Sequence, residues 1–192
     1  MNRKTAERYQ RKKTILDGAL KSYSKNGIDG MTMDNIASES DFGKATIYYY
    51  FPSKEDIICS LMEIGWQDLW ESVEEMIIED ISARKKFVKI LNQMADRVFQ
   101  NKILYNFLFT VPRNISISDN KASWKVFQNR TYATLQSIVD EGIGQGDFAD
   151  IKPELFMKAV GGIFHGIVFM GEQKKIEEKD IELLISNFIY PS

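Results

Sequence analysis

A single cysteine, Cys59, leaves no internal disulfide possible, and a single histidine, His165, leaves no second imidazole for a His/Cys zinc cluster. Disulfide scaffolds and ordinary zinc sites are excluded. Four prolines and twelve glycines are too few for a collagenous or linker-dominated chain. A 44% hydrophobic content against 27% charged residues excludes a disordered one. No apolar run follows the basic N-terminus as it would in a leader peptide, and no stretch approaches a membrane span. What remains is 192 residues of ordinary composition, long enough to bury a core, and the expected location is the cytoplasm.

Charge is spread unevenly. In residues 1–25, Arg3, Lys4, Arg8, Arg11, Lys12, Lys13, Lys21 and Lys25 face only Glu7 and Asp17, a balance of +6 that leaves −8 for the rest of a chain whose net charge is −2. A basic end on an acidic body suggests that one end meets a polyanion. Taken alone, the same run also reads as a solvated, frayed terminus.

The residues that follow favour the polyanion. Ile15, Leu16, Ala19, Leu20 and Tyr23 recur at helical spacing, and Asn26-Gly27 is expected to end that helix in a left-handed cap. Thr32 has the position of an N-cap, with Asp34 in the first turn and Met31 and Ile36 as a hydrophobic staple. This short second helix runs out over Ser38 to Asp41. A third, from Lys44 to Phe51, stops before Pro52, and Ser53-Lys54-Glu55-Asp56 opens a long fourth helix with a capping box. Two short helices joined by a tight turn after a longer supporting helix outline a helix-turn-helix. In the third helix only Ile47 and Phe51 are plainly core. Lys44, Thr46, Tyr48, Tyr49 and Tyr50 present groups that hydrogen-bond phosphate oxygens or touch base edges.

The segments Thr32-Met33-Asp34-Asn35-Ile36-Ala37 and Lys44-Ala45-Thr46-Ile47-Tyr48-Tyr49-Tyr50-Phe51-Pro52-Ser53-Lys54-Glu55 closely resemble the N-terminal signature of the TetR family of bacterial transcriptional repressors. Two positions depart from that pattern. Asp41 stands in the role of the turn glycine, and Gly43 replaces the serine that caps the recognition helix. The resemblance implies that Thr32 and Lys54 ligate phosphate. It also implies that Lys44, Ala45, Thr46 and Tyr49 face the major groove or its edge, and that Tyr48 and Tyr50 brace the helix and touch the DNA backbone. Ile36, Ala37, Phe42, Ile47 and Phe51 are assigned to the small core. The expected division is a DNA-binding domain over residues 1–55, with its motif at about 31–50, and an effector-binding and dimerisation domain over 56–192.

Beyond Lys54 the apolar spacing stays helical and no alternating strand pattern occurs, so the expected fold is all-α. The fourth helix is expected to run to about Ile78. Further stripes lie at Phe87 to Phe99, Ile103 to Phe109, Trp124 to Val139, Phe156 to Gly171 and Ile181 to Phe188, with a break at Pro112 and Asn114 to Asn120. The helix from Glu154 to Glu172 is apolar nearly all round and holds Gly161, Gly162 and Gly166, so it needs a partner on a second side. In the resembling family the last two helices form a four-helix dimer interface and the central helices enclose an effector pocket. This implies an interface drawn from Phe156, Gly161, Gly162, Phe164, His165, Gly166, Ile181, Leu184, Ile185 and Phe188. The pocket would be drawn from Trp66, Trp70, Met94, Phe99, Tyr105, Phe107, Trp124, Phe127 and Tyr132, and an aromatic lining of this kind suits a flat or amphipathic apolar molecule. A filled aromatic core is the competing reading of the same residues.

No catalytic constellation is found. His165 lies on the one polar stripe of its helix and is read as an interface or pocket residue, and Cys59 as a small buried hydrophobe. The glycines at 142–146 lack the Gly-Lys-Ser/Thr that cradles phosphate. Neither metal nor cofactor is expected. The sequence therefore reads as a ligand-responsive regulator, a homodimer on a palindromic double-stranded operator released by a small effector. A helical adaptor that has lost DNA binding is the alternative.

Overall fold

The computed structural model describes residues 2–111, 122–170 and 177–189, the side chains of 167 and 184–189 excepted. Among the described residues it contains α1 (Arg3–Gly30), α2 (Met33–Ser40), α3 (Lys44–Tyr50), α4 (Lys54–Ile77), α5 (Ala83–Gln100), α6 (Lys102–Thr110), α7 (Lys125–Gln145), α8 (Pro153–His165) and α9 (Glu178–Ile189), with no strand. The all-α expectation holds. Two compact units are formed, one of Met1–Gly65 with Ile103–Lys125 and one of Trp66–Lys102 with Val126–Ser192.

In the first unit α1 packs on α2, and α2 on α3. Ile15, Ala19, Met31, Ile36 and Ile47 are fully buried, with Phe51 closing the small core. Phe42, expected in that core, is half-buried. Gly18 allows the close approach of α1 to α2, since a Cβ built there would lie 2.7 Å from Ser40 Cβ and 2.9 Å from the Ser40 backbone nitrogen. Ser40 Oγ turns inward and donates to the Ile36 carbonyl at 2.6 Å. On α6, Phe107 takes the edge of the Tyr23 ring at 5.1 Å between centroids.

Gly27 corrects one expectation. Its φ of 68° is positive, as foreseen, but its ψ of −173° is not that of a left-handed helical cap. This extended, positive-φ region is essentially open to glycine alone. The chain kinks there and makes a further turn to Gly30, closed by the Met31 N–H donating to the Gly27 carbonyl at 3.1 Å.

The α2–α3 turn is a Schellman ending. Phe42 N–H donates to the Ala37 carbonyl at 3.1 Å and Asp41 N–H to that of Ser38 at 3.4 Å, with Asp41 left-handed at φ 56°. Asp41 thus adopts the conformation for which glycine is preferred, at the strain of any residue with a Cβ. We expect Asp41→Gly to raise stability by a few tenths to about 1 kcal/mol and Asp41→Val to lower it by about 1–2 kcal/mol. Thermal unfolding of the two variants checks the order, and the reverse order would contradict the assignment.

In the second unit a second Schellman ending, with Gly146 at φ 79°, stops α7. Asp147 and Phe148 N–H groups both donate to the Gly142 carbonyl, at 2.7 and 3.1 Å. Asp147 then accepts from the Arg84 N–H at 3.2 Å, satisfying one open donor at the start of α5. Phe148 is delivered into a cluster with Phe87 and Phe156, at ring separations of 4.9–5.8 Å. Phe87 and Phe156 on this inner side are about 1% exposed.

Pro153 occupies the first turn of α8, where its missing N–H costs nothing. The expected helix to Glu172 is instead α8 to His165 followed by a π-helical turn, Gly166–Met170, with Gly171 and Glu172 outside the described residues. Among the described residues, burial of this helix on two sides is not found. Phe156 and Val160 are buried, while Leu155 is 55% and Met170 81% exposed. A second correction concerns hydropathy: Pro153–Met170 is long and apolar enough, by length and composition, to cross a membrane. Only Glu154 and Lys158 are charged in that window, and the two pair with each other at 2.6 Å.

Candidate nucleic-acid interface

Three local devices present α3. Thr32 Oγ1 accepts from the Asn35 N–H at 3.2 Å, capping α2, while Asn35 Nδ2 donates to the Gly30 carbonyl at 2.8 Å. The Schellman ending then reverses the chain, and Gly43, extended at φ −66° and ψ 146°, starts α3 without a side-chain cap. Its carbonyl accepts from the Thr46 and Ile47 N–H groups. At the far end Ser53 Oγ accepts from the Asp56 N–H at 3.2 Å and donates to its carboxylate at 2.5 Å. This capping box is closed through the serine hydroxyl rather than the serine N–H.

With Ile47 buried, α3 turns its other residues outward. Lys44, Ala45, Tyr48 and Tyr49 are exposed, Tyr49 by 72%, and Thr46 and Tyr50 are half-buried. The Tyr49 and Tyr50 rings meet edge to face at 5.1 Å, which limits how either can swing. Lys44 Nζ lies 2.6 Å from Asp34 in a solvent-exposed pair, and the hydrogen bond and charge of Asp34 hold the lysine above its ordinary pKa. Thr32 is exposed as well.

Lys54 is engaged within the protein. Its ammonium donates to the Ile28 carbonyl at 2.5 Å, and burial lowers its pKa against the opposing pull of Asp29. Lys54 therefore ties the start of α4 to the last turn of α1, a link between residues 26 apart that no local pattern signals. Ser40 and Gly18 were likewise unforeseen.

The candidate effector residues fall in both units. Trp66, Trp70, Met94, Phe99, Phe127 and Tyr132 belong to the second, and Tyr105, Phe107 and Trp124 to the first. Trp66 and Tyr132 rings are 5.7 Å apart, and the Arg130 guanidinium sits 4.2 Å over the Trp70 ring, whose Nε1 donates to Glu74 at 2.9 Å. Trp66, Trp70 and Met94 are buried, Phe99 and Phe127 half-buried and Tyr132 exposed. Tyr105, Phe107 and Trp124 are buried.

Of the candidate interface residues, Phe156 and Ile181 are buried, Phe164, His165 and Gly166 half-buried, and Gly161 and Gly162 exposed. His165 lies against Phe169 at 5.0 Å between ring centres. A Cβ at Gly161, Gly162 or Gly166 would meet open space. The side chains of Leu184, Ile185 and Phe188 lie outside the described residues. Cys59 is buried. Among the described residues no group of three or more metal-ligating side chains occurs.

Comparison with known proteins agrees with the geometry of α2 and α3. Over 191 residues the chain is 25% identical to the HTH-type transcriptional regulator LuxR of Vibrio harveyi, covering 94% of this chain and 87% of that one. In fold it is similar to AibR, solved in complex with isovaleryl coenzyme A and operator DNA, with a TM-score of 0.77 at 14% identity over 92% of this chain and 96% of that one. FadR of Bacillus subtilis, solved with stearoyl-CoA, gives 0.71 at 23% identity over 91% and 98%. Residues 15–61 match the family described as bacterial regulatory proteins, tetR family, and these residues hold the reading head from the first buried turn of α1 into α4. A capped α2, a left-handed turn and an outward-facing α3 are thus the helix-turn-helix of the tetR family of bacterial regulatory proteins, the family that residues 15–61 of this chain match.

Proposed function

We propose that the chain is a ligand-responsive repressor that binds a near-palindromic operator as a homodimer and leaves it when a small apolar or amphipathic effector binds. The observation that carries the reading is α3, a helix of seven residues whose buried anchor is Ile47 and whose exposed residues are Lys44, Ala45, Tyr48 and Tyr49, with Thr46 and Tyr50 half-buried beside them. One such helix reads only a few base pairs, so specificity requires two copies on half-sites spaced by about 34–36 Å or multiples of it. Lys44, Ala45, Thr46 and Tyr49 read the groove. Tyr48 and Tyr50 support the helix against the backbone, and Thr32 and Lys54 hold phosphate. Lys54 must then share its ammonium between a phosphate and the Ile28 carbonyl. In this reading residues 1–55 bind DNA and residues 56–192 bind effector and a second copy, in the bacterial cytoplasm.

Leu155, Gly161 and Gly162 of α8 and Met170 of the turn after it are exposed and support a second copy as their cover, with the amphipathic α9 and its Ile181, Leu184, Ile185 and Phe188 proposed as the rest of that interface. For the effector, the aromatic and methionine side chains of α4, α5 and α7 in the second unit supply apolar lining. Asn92 Oδ1 and Arg97 Nε are buried there without a hydrogen-bond partner. A buried polar atom left unpaired costs about 1–3 kcal/mol, so these two favour a ligand with a polar end. The acyl thioesters held by AibR and FadR are of that amphipathic class. To turn the switch from 1:99 to 99:1 the effector needs about 5.5 kcal/mol of differential affinity.

Selection of bound genomic fragments with the purified protein tests the reading. A near-palindrome is expected, with Thr46→Ala and Tyr49→Ala shifting base preference at the half-site by about 1–3 kcal/mol per altered contact. Recovery of no preferred sequence would favour the adaptor instead.

A further inference from the structure

Helix α1 begins about twelve residues before its first buried side chain, Ile15, and the earlier part is a regular helix rather than a frayed tail. Asn2 caps it by accepting from the Lys4 N–H at 3.0 Å, and Arg3 pairs with Glu7 at 3.1 Å across one turn. The register of this arm is informative. Ile15, Gly18, Ala19 and Ser22 form the buried face that packs on α2. Stepping back from them by three and four residues reaches Arg11, Lys12, Arg8 and Lys4. The apolar stripe that builds the reading head therefore continues, beyond the head, as a stripe of four cations on the same face. Arg3 and Lys13 lie on other faces.

The base of this stripe is located by Lys12, whose ammonium stands 5.5 Å from the centre of the Phe51 ring, immediately after α3. From Lys12 the helix extends to Arg3, about 13 Å at 1.5 Å per residue. Lys4, Arg8 and Arg11 are exposed, and among the described residues none of them is in an ion pair.

We propose that the arm is a second DNA-contacting element, in which Lys4, Arg8 and Arg11 hold phosphates of the duplex flanking the half-site read by α3. The inference rests on the DNA-binding reading above and adds contacts that the helix-turn-helix residues do not make. The arm's partner is the sugar-phosphate backbone, because in this reading α3 occupies the major groove of the half-site and the lysine and arginines of a flanking helix meet phosphate oxygens with no sequence requirement. A helical arm, ordered before binding, makes these contacts at a lower entropic cost than a disordered tail would.

The test compares two duplexes. One is a 30-base-pair sequence recovered from a random library with the intact protein, its length chosen at roughly three helical turns. The other is trimmed to the positions held constant in the selected pool. The variant Lys4→Ala/Arg8→Ala/Arg11→Ala is expected to bind the long duplex at least tenfold more weakly at 0.1 M salt, its log–log salt slope shallower by about 2.7 per bound chain, at about 0.9 per phosphate. On the trimmed duplex it is expected to match the intact protein. Arg8→Lys/Arg11→Lys is expected to keep the slope, and Arg3→Ala/Lys13→Ala, which removes charge from other faces, to leave it unchanged. Equal slopes for intact protein and triple variant on the long duplex would overturn the arm alone, as would equal losses from the triple and the Arg3/Lys13 variants. Failure of the intact protein to recover any sequence would overturn the DNA-binding reading and the arm with it.

Discussion

Gly18→Leu is expected to abolish specific DNA binding without touching any residue assigned to DNA. A Cβ at position 18 would lie 2.7 Å from Ser40 Cβ, 2.9 Å from its backbone nitrogen and 3.0 Å from its Cα. Two of these three atoms are backbone of the last α2 residue, so no rotamer change relieves the clash, and α1 must move away from α2. Overpacking of this kind costs typically 1–3 kcal/mol and occasionally more. Leucine is also a better helix former than glycine, by roughly 0.5–1 kcal/mol, so a net loss reports packing rather than propensity. Because α2 and the left-handed turn orient α3, the displacement reaches the reading surface. We expect at least a hundredfold loss of affinity for a selected operator, measured by fluorescence anisotropy, with a lowered unfolding midpoint. Gly144→Ala is the control: a Cβ there meets nothing within 4 Å. Wild-type affinity in Gly18→Leu would show that α1 and α2 tolerate separation and that the reading head does not depend on their contact.

Phe87→Ala is expected to produce the largest loss of stability. Phe87 is about 1% exposed, and its ring meets Phe148 at 5.8 Å and Phe156 at 5.5 Å, both near perpendicular. It thereby joins α5 to the segment after α7 and to α8. Phenylalanine-to-alanine changes in a core cost about 3–5 kcal/mol, part of it from the cavity left behind. The site cannot collapse readily, because Phe148 is held from below by the Gly142 turn, where a Cβ would already approach its ring to 2.4 Å. Against a typical total of about 5–15 kcal/mol this is a large share. Chemical denaturation should show the second unit unfolding at markedly lower denaturant. A change below about 1 kcal/mol would mean that the three rings are not a cooperative core.

The devices legible in the sequence share one physical property: each is closed by groups a few residues apart. Thr32 caps α2, Ser53 and Asp56 cap α4, Asp41 takes the left-handed turn position and Pro153 opens α8, because a hydroxyl, carboxylate or ring beside an open helix end has one short-range way to satisfy it. Periodicity placed the helices for the same reason, since which face is apolar depends on spacing alone. The resemblance carried by Lys44 to Glu55 added the functional reading, and the match over residues 15–61 agrees with it.

Other features depend on which distant group arrives opposite, and spacing holds no such information. Gly18 looks like an ordinary weak point in a helix until Ser40 is placed against it. Lys54 reads as an exposed cation until its ammonium is found on the Ile28 carbonyl. Gly27 announced a positive φ, but only the turn built after it selected an extended ψ. The aromatic residues beyond Trp66 formed one undivided set in the sequence, and tertiary packing divided them between two units. The helix from Pro153 shows the limit most plainly. Its sequence required a partner on a second side, yet within one chain Leu155 and Met170 are exposed. Hydrophobic spacing states how much surface must be covered, and only the assembled elements decide what covers it, because burial is set by contacts between segments and not by their order along the chain.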